Sequence, residues 1–253
     1  VKIHDELFDV ACDKMTIHLT DTVEQEEMKP AALLSGIEGG GSKSVQEVVC
    51  TGDVTVLRKN PDGEVPETAK AGKAVYRYKE GKIILSENRP IIVRGRDSIS
   101  GREVAIMLDE ERLIVDEDSR IVLESLRAEA GAEKPGQTVI ESDYTDLDFG
   151  NNVLSFAGTV KVADPQLNLK SDEVKIYLLP TEEDKKAAEL NAKNPLANPS
   201  SKSIERIVCS GRVHASDPKA DLFCDELLLK FKPQAGSDAT AIDEIICDRN
   251  VRM

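Results

Sequence analysis

VVCTGDVTV, Val48 to Val56, is the stretch that decides how the chain is read, because it comes back. IVCSGRVHA (Ile207 to Ala215) and IICDRNVRM (Ile245 to Met253) repeat its apolar pair, its Cys, a two-residue step usually ending in Gly, and a Val two positions further on. LSFAGTVKV (Leu154 to Val162) is a fourth copy, with Phe where the others have Cys. Apolar residues at every second position mark a strand with one buried face. Val48, Cys50, Gly52, Val54 and Val56 therefore share the inward face, as do Leu154, Phe156, Gly158, Val160 and Val162, and Ile207, Cys209, Gly211, Val213 and Ala215. A glycine recurring at one inward position predicts a bend or a close backbone approach. Arg249 stands at that position in the last copy, so the last unit is expected to differ in shape.

Working outward, each copy is preceded by a second word with a small residue, an Asp and then alternation. These are ACDKMTIHL (Ala11 to Leu19), KSDEVKIYL (Lys170 to Leu178) and FCDELLLKF (Phe223 to Phe231), with IESDYTDLDF (Ile140 to Phe149) a looser relative. The middle of the chain keeps the rhythm in AVYRYKEGKIIL (Ala74 to Leu85), RPIIVRG (Arg89 to Gly95) and EVAIMLDEERLIVDEDSRIVL (Glu103 to Leu123). These read as hairpins, with turns near Glu80-Gly81, Asp109-Glu110 and Glu117-Asp118. The connection between the two words of a unit varies in length from unit to unit, as stacked repeats with loops on one side would show. Gly36 to Ser44 (GIEGGGSKS) reads as a flexible loop, and Thr181 to Asn194 (TEEDKKAAELNAKN), ahead of Pro195, as a short surface helix. The expectation is an all-β chain of stacked repeats, one elongated domain over 1–253, with a subdomain break at RAEAGAEKPGQ, 127–137.

Composition narrows the function classes. The chain has 253 residues, enough for a sizeable core, and is 40% hydrophobic with 4% aromatic residues and no Trp. The hydrophobic residues are mostly Val, Ile, Leu and Ala, and the β-branched aliphatics among them favour sheets. A net charge of −14 argues against nucleic acid and anionic membrane surfaces as partners, so an anionic ligand would have to be held by its apolar part. No stretch approaches the roughly 18 apolar residues of a spanning helix. The start at Val1 and the end inside a strand-like segment read as cuts from a longer precursor, with a signal peptide or anchor lost.

Five cysteines, an odd number without a CxxC pair, argue against a disulfide framework and a zinc ribbon; they read as small buried apolar residues. Cys209 and Cys247 hold equivalent places in consecutive copies, and would be within disulfide reach if their strands were direct neighbours. Of the three histidines, His18 and His214 sit in alternating strands and are expected to face outward. No HExxH, GxSxG or P-loop occurs. The clusters Asp109-Glu110 and Asp116-Glu117-Asp118 are expected to be solvated tips rather than metal ligands. No catalytic residue, metal or cofactor is expected. An enzyme reading, a β-helix acting on polysaccharide, lacks a cluster of Asp, Arg or Lys on successive turns.

The run SDYTDLDFGNNVLSFAGTVKVADPQLNLKSDEVKIYL (Ser142 to Leu178), followed by IERIVCSGRVHASDPKADLFCDELLLKF (Ile204 to Phe231), resembles the OstA-like family of lipopolysaccharide-transport proteins, the LptA and LptC type. That resemblance implies an elongated β-jelly-roll of two facing antiparallel sheets whose apolar interior receives acyl chains. It implies a periplasmic, non-enzymatic protein with lipopolysaccharide or another acyl lipid as ligand. Envelope components of the same fold would be its partners, and edge strands would allow head-to-tail self-association. Carried over by position, the lipid lining would be Val54, Val56, Leu154, Phe156, Val160, Val162, Ile176, Leu178 and Val213. A β-stacked scaffold without lipid shares every repeat feature and differs only in lacking an apolar cavity.

Overall fold

Each alternating stretch is a strand in the computed structural model, which describes residues 1–4, 8–21, 43–58, 67–124, 136–165, 167–179, 204–217, 220–233 and 240–252. In chain order the strands are β1 (Lys2–His4), β2 (Phe8–Ala11), β3 (Lys14–Asp21), β4 (Lys43–Arg58), β5 (Glu67–Arg77), β6 (Lys82–Ser86), β7 (Ile91–Arg94) and β8 (Asp97–Ser100). They continue with β9 (Glu103–Met107), β10 (Arg112–Glu124), β11 (Gln137–Asp148), β12 (Val153–Ala163), β13 (Asn168–Leu178), β14 (Ile204–Ser216), β15 (Asp221–Pro233) and β16 (Thr240–Asp248). The protein is all-β, and every pairing among these strands is antiparallel.

The ladder doubles over. Each long strand slips register near its middle, at Thr51/Val54 in β4, Asp116/Ser119 in β10, Glu141/Tyr144 in β11, Ala157/Val160 in β12, Lys170/Glu173 in β13 and Ser210/Val213 in β14. Beyond the slip the two halves of a strand belong to different layers. The branching around β5 makes this explicit: β6 pairs with Lys73–Arg77 and β7 with Glu67–Lys70. β10 rejoins them, with β9 on Arg112–Asp116 and β8 on Arg120–Val122. Layer I thus contains β3, β6, β9, β16 and one half of each long strand; layer II contains β1, β2, β7, β8 and the other halves. Side chains from both layers, such as Leu85 and Leu113 of layer I with Ile92 and Ile140 of layer II, share one buried cluster. A smaller cluster at the N-terminal end holds Val10, Cys12, Val48, Cys50, Val54 and Tyr76.

Several expectations need correction or fall elsewhere. Glu80-Gly81 and Asp109-Glu110 lie in turns, but Glu117-Asp118 is the register slip inside β10, where the chain crosses between layers without reversing. The reason is physical: both residues take left-handed backbone, at φ 54° and 52°, which turns the strand through a corner and lets it run on. The helix expected over Thr181–Asn194 and most of the Gly36–Ser44 loop lie outside the described residues, Lys43 and Ser44 alone beginning β4. Of 127–137, only Gly136 and Gln137 are described; the flanking β10 and β11 are hydrogen-bonded neighbours from Arg112↔Asp148 to Glu124↔Gln137. The three variable connections, after β3, β13 and β15, all leave from layer I and return to it.

Candidate functional site

The two words of the sequence repeat are the two halves of one corner. The Gly word supplies left-handed backbone: Gly52 (φ 76°) with Asp53 (42°), Gly211 (74°) with Arg212 (48°), and Gly158 (92°). The Asp word supplies the carboxylate that packs into the bend of the next strand. Asp143 accepts a hydrogen bond from the Thr159 amide at 3.0 Å, and Asp172 accepts from Arg212 Nε at 3.1 Å. Asp13 donates its amide to the Gly52 carbonyl at 2.9 Å. A Cβ on Gly158 would lie 2.6 Å from Asp143 Cγ, so the close backbone approach expected from the sequence is real. Arg249 and Asn250 make the same corner without glycine, at φ 59° and 51°, against Asp225, whose carboxylate accepts from Asn250 Nδ2 at 2.8 Å. The bend itself is kept, because the left-handed region is tolerated at modest cost, but the last copy differs beyond it as expected: β16 ends at Asp248 and a single bridge, Phe223↔Arg252, follows, where β4, β12 and β14 run on as strand.

The corners fix the register, and the register lines up the interior. One apolar row crosses the whole of layer I, one residue per strand: Ile17, Val48, Tyr76, Ile83, Ile106, Leu113, Leu147, Leu154, Ile176, Ile207, Leu229 and Ile245, each directly opposite the next. At about 4.8 Å per strand it runs for roughly 50 Å along the sheet. A second row, from Met15 through Cys50, Leu85, Val115, Phe156 and Val174 to Cys247, lies nearer the corners. Layer II contributes a facing row from Val10 through Val56, Ile92, Ile121, Ile140, Val162 and Leu169 to Leu222.

All nine residues expected to line a lipid fall on this interior. Val54 and Val56 belong to the N-terminal cluster. Leu154, Phe156, Val160, Val162, Ile176, Leu178 and Val213 belong to the larger one. The interior is packed at its centre: Phe156 is 1% exposed, and Leu113, Val104 and Val115 are fully buried. It is uncovered at its ends, where Ile17 is 38% exposed and Ile245 56%. β3 and β16, which carry them, are the two edge strands of layer I, and Leu19, Ile242 and Ile246 add further exposed apolar surface there.

One polar cluster interrupts the interior, and nothing in the repeat pattern announces it. Thr145 Oγ1 is hydrogen-bonded to Ser119 Oγ at 2.7 Å and to Ser142 Oγ at 2.8 Å, with all three residues buried. Ser142 is in phase with the inward Ile140 and Thr145 with the inward Leu147, but they lie three residues apart across the corner, so strict alternation would not have placed both inside. No buried side-chain polar atom among the described residues lacks a partner, so this cluster is a satisfied structural network.

The outer face carries a cationic row. Arg120, Glu141, Lys161, Lys170 and His214 stand directly opposite one another across β10 to β14, lining an open concavity of about 570 Å³. Glu141 pairs with Arg120 at 3.5 Å, whereas Lys161 and Lys170 face each other. The sheet separates this row from the interior. His18 is exposed, and His214 stacks on Phe223 with ring centroids 4.2 Å apart and meets Asp221 at 3.0 Å, so both face outward as expected. Cys209 and Cys247 are not neighbours: both sit opposite Leu227, on either side of β15, roughly 10 Å apart, which removes the disulfide considered between them.

No family model and no curated protein sequence matches the chain. Among solved structures it is similar to LptH, the LptA-homologous periplasmic component of the lipopolysaccharide transport device of Pseudomonas aeruginosa, at 13% identity and a TM-score of 0.37, over 44% of this chain and 75% of that one. A likeness of that size settles neither family nor function.

Proposed function

We propose that this chain is a non-enzymatic carrier of acyl lipid, of the lipopolysaccharide-transport type, acting in the periplasm. The observation that carries the reading is the unbroken apolar row of layer I, buried at its centre and exposed at Ile17 and Ile245. An interior apolar path that reaches both open edges is what an acyl chain needs to enter at one end and leave at the other. Each buried methylene contributes about 0.8 kcal/mol, so a chain of about a dozen carbons contributes roughly 10 kcal/mol gross, enough to reward opening a packed interior. The resemblance of the repeat words to the OstA-like pattern supports the same reading. Exposed apolar edge strands at both ends of layer I support strand addition by envelope proteins of the same fold or by a second copy, head to tail.

A specific observation favours a second reading. The lining residues at the centre pack against one another, as in a β scaffold that holds no lipid. The test incubates the purified chain with lipopolysaccharide, and separately with phospholipid vesicles, re-isolates it and identifies bound acyl material by mass spectrometry. A photoreactive residue at Ile245 should crosslink to the retained lipid, and one at the outward His18 should not. A folded protein that retains no lipid and gives no crosslink at Ile245 supports the scaffold.

A further inference from the structure

The first and last corners of the stack differ from those between them in one respect. At the first, Cys12 precedes Asp13 and Cys50 stands two residues before Gly52; at the last, Cys224 precedes Asp225 and Cys247 stands two residues before Arg249. The backbone equivalence is close: the Asp13 amide donates to the Gly52 carbonyl and the Asp225 amide to the Arg249 carbonyl, at 2.9 and 3.2 Å. At the intervening corners the matching residues are Ser142 with Phe156, and Ser171 with Cys209. Only the two ends carry sulfur on both sides.

In each end pair the partners flank the bend from opposite layers. Cys12 lies beyond Ala11 of layer II and Cys50 on the layer I half of β4, both buried in the N-terminal cluster. Cys224 lies on the layer II half of β15, and Cys247 in layer I on β16. Cys12 and Cys50 thus share one small buried cluster, and Cys247 packs against the cluster that contains Cys224.

We propose that Cys12–Cys50 and Cys224–Cys247 are two disulfide clasps that join layer I to layer II at the two ends of the sheet. The oxidant is an exchangeable disulfide. One protein thiolate attacks it and displaces a thiolate; the partner thiolate then attacks the mixed disulfide and displaces the second. Two protein thiols and one external disulfide become one protein disulfide and two external thiols.

Burial, then the neighbouring Cys12 sulfur, push the Cys50 thiol up to about 12, and burial with Cys247 pushes Cys224 up to about 11. Closure of the folded, reduced chain at neutral pH is therefore slow, and the first clasp forms as the corner folds. The last clasp is better placed for later exchange, because Cys224 lines an open concavity of about 410 Å³ at the end of the stack. Cys209 is the fifth thiol, fully buried beside Cys224, and stays reduced.

This inference does not depend on lipid binding, and its test reads sulfur alone. The full chain is refolded from the reduced, denatured state in a glutathione redox buffer, quenched with an alkylating agent, and mapped by peptide mass spectrometry. The expected product carries both clasps, one alkylated thiol at Cys209, and a higher Tm than the reduced chain. Cys209→Ser should keep both bonds, whereas Cys50→Ser and Cys247→Ser should each remove one. A product with the β spectrum of the reduced chain but five alkylated thiols overturns the proposal, and so does a Cys209–Cys224 bond. A pair that stays alkylated while the other closes overturns the assignment for that pair.

Discussion

Leu113 and Ile245 occupy the same row of layer I, on the same inward face, yet Leu113 is fully buried and Ile245 is 56% exposed. Leu113 has Ile106 on one side and Leu147 on the other; Ile245 has Leu229 on one side and, among the described residues, no strand on the other. Ile17 is in the same position at the other end. Position in the repeat therefore decides which way a side chain points, and the neighbouring strands decide whether it is covered. A stack whose units bury each other's faces is unfinished at its ends unless something caps them. Here the ends are left apolar, which is the feature that a ligand or another strand would use.

The most direct way to break this comparison is to truncate both residues. Leu113→Ala should lose about 2–5 kcal/mol, because a fully packed site cannot collapse around the missing atoms. Ile245→Ala should change monomer stability by less than about 0.5 kcal/mol. Urea unfolding of the two variants checks this, and equal losses would mean that the end of the row is covered in solution. Comparing Ile245→Ala at low and high protein concentration sharpens it, since a copy docked on β16 would make the loss concentration-dependent.

A smaller contrast separates the corners themselves. Gly158 sits at φ 92° with its missing Cβ overlapping the Asp143 carboxylate, whereas Arg249 makes the same bend at 59° with a full side chain. Gly158→Ala should cost about 2 kcal/mol from the backbone alone, and more from the displaced carboxylate. Arg249→Gly should leave stability unchanged or raise it by up to about 1 kcal/mol, because it relieves the left-handed penalty and sacrifices only exposed ion pairs with Glu226 and Asp248. Thermal unfolding gives both signs, and a loss of the same size in each variant would refute the equivalence of the two corners.

Alternation was enough to place nearly every strand and the inward face of the lining residues from Val54 to Val213. It was not enough to show that β4, β12 and β14 change layer halfway, since the parity of Val48, Cys50, Val54 and Val56 survives the corner unchanged. In these strands the corner adds an even number of residues, so a strand that bends and one that runs straight have the same pattern. Glu117-Asp118 was misread for the same reason: acidic residues with left-handed backbone serve turns and bulges alike. Pairing of the Asp word with the Gly word is a contact between strands, and single-sequence periodicity carries no information about it. The cysteine arrangement was hidden in the same way, because Cys209 and Cys247 look equivalent along the chain, yet they sit on either side of β15, and Cys247 packs against the cluster that contains Cys224.

The smallest expected effect concerns charge at the Gly211 corner. Arg212 Nη2 lies 2.5 Å from Asp172 Oδ1, and Nε lies 3.1 Å from both carboxylate oxygens. These hydrogen bonds hold the Asp172 carboxyl below its ordinary value of 3.8, with slight burial opposing them and the guanidinium charge adding to them. A depressed carboxyl adds stability that is fully present above the unfolded value, near pH 4, and is lost as pH falls through the lower folded value. The last corner has Asn250 against Asp225 in place of a guanidinium fork. Arg212→Gln should move the Asp172 titration upward, read from its side-chain carboxyl resonance. The Tm difference between wild type and variant should be present at neutral pH and shrink as pH falls below 4. With both partners largely solvated the difference will be small and should fade in high salt. An unmoved Asp172 titration in the variant would mean that the corner backbone, rather than the arginine, depresses it.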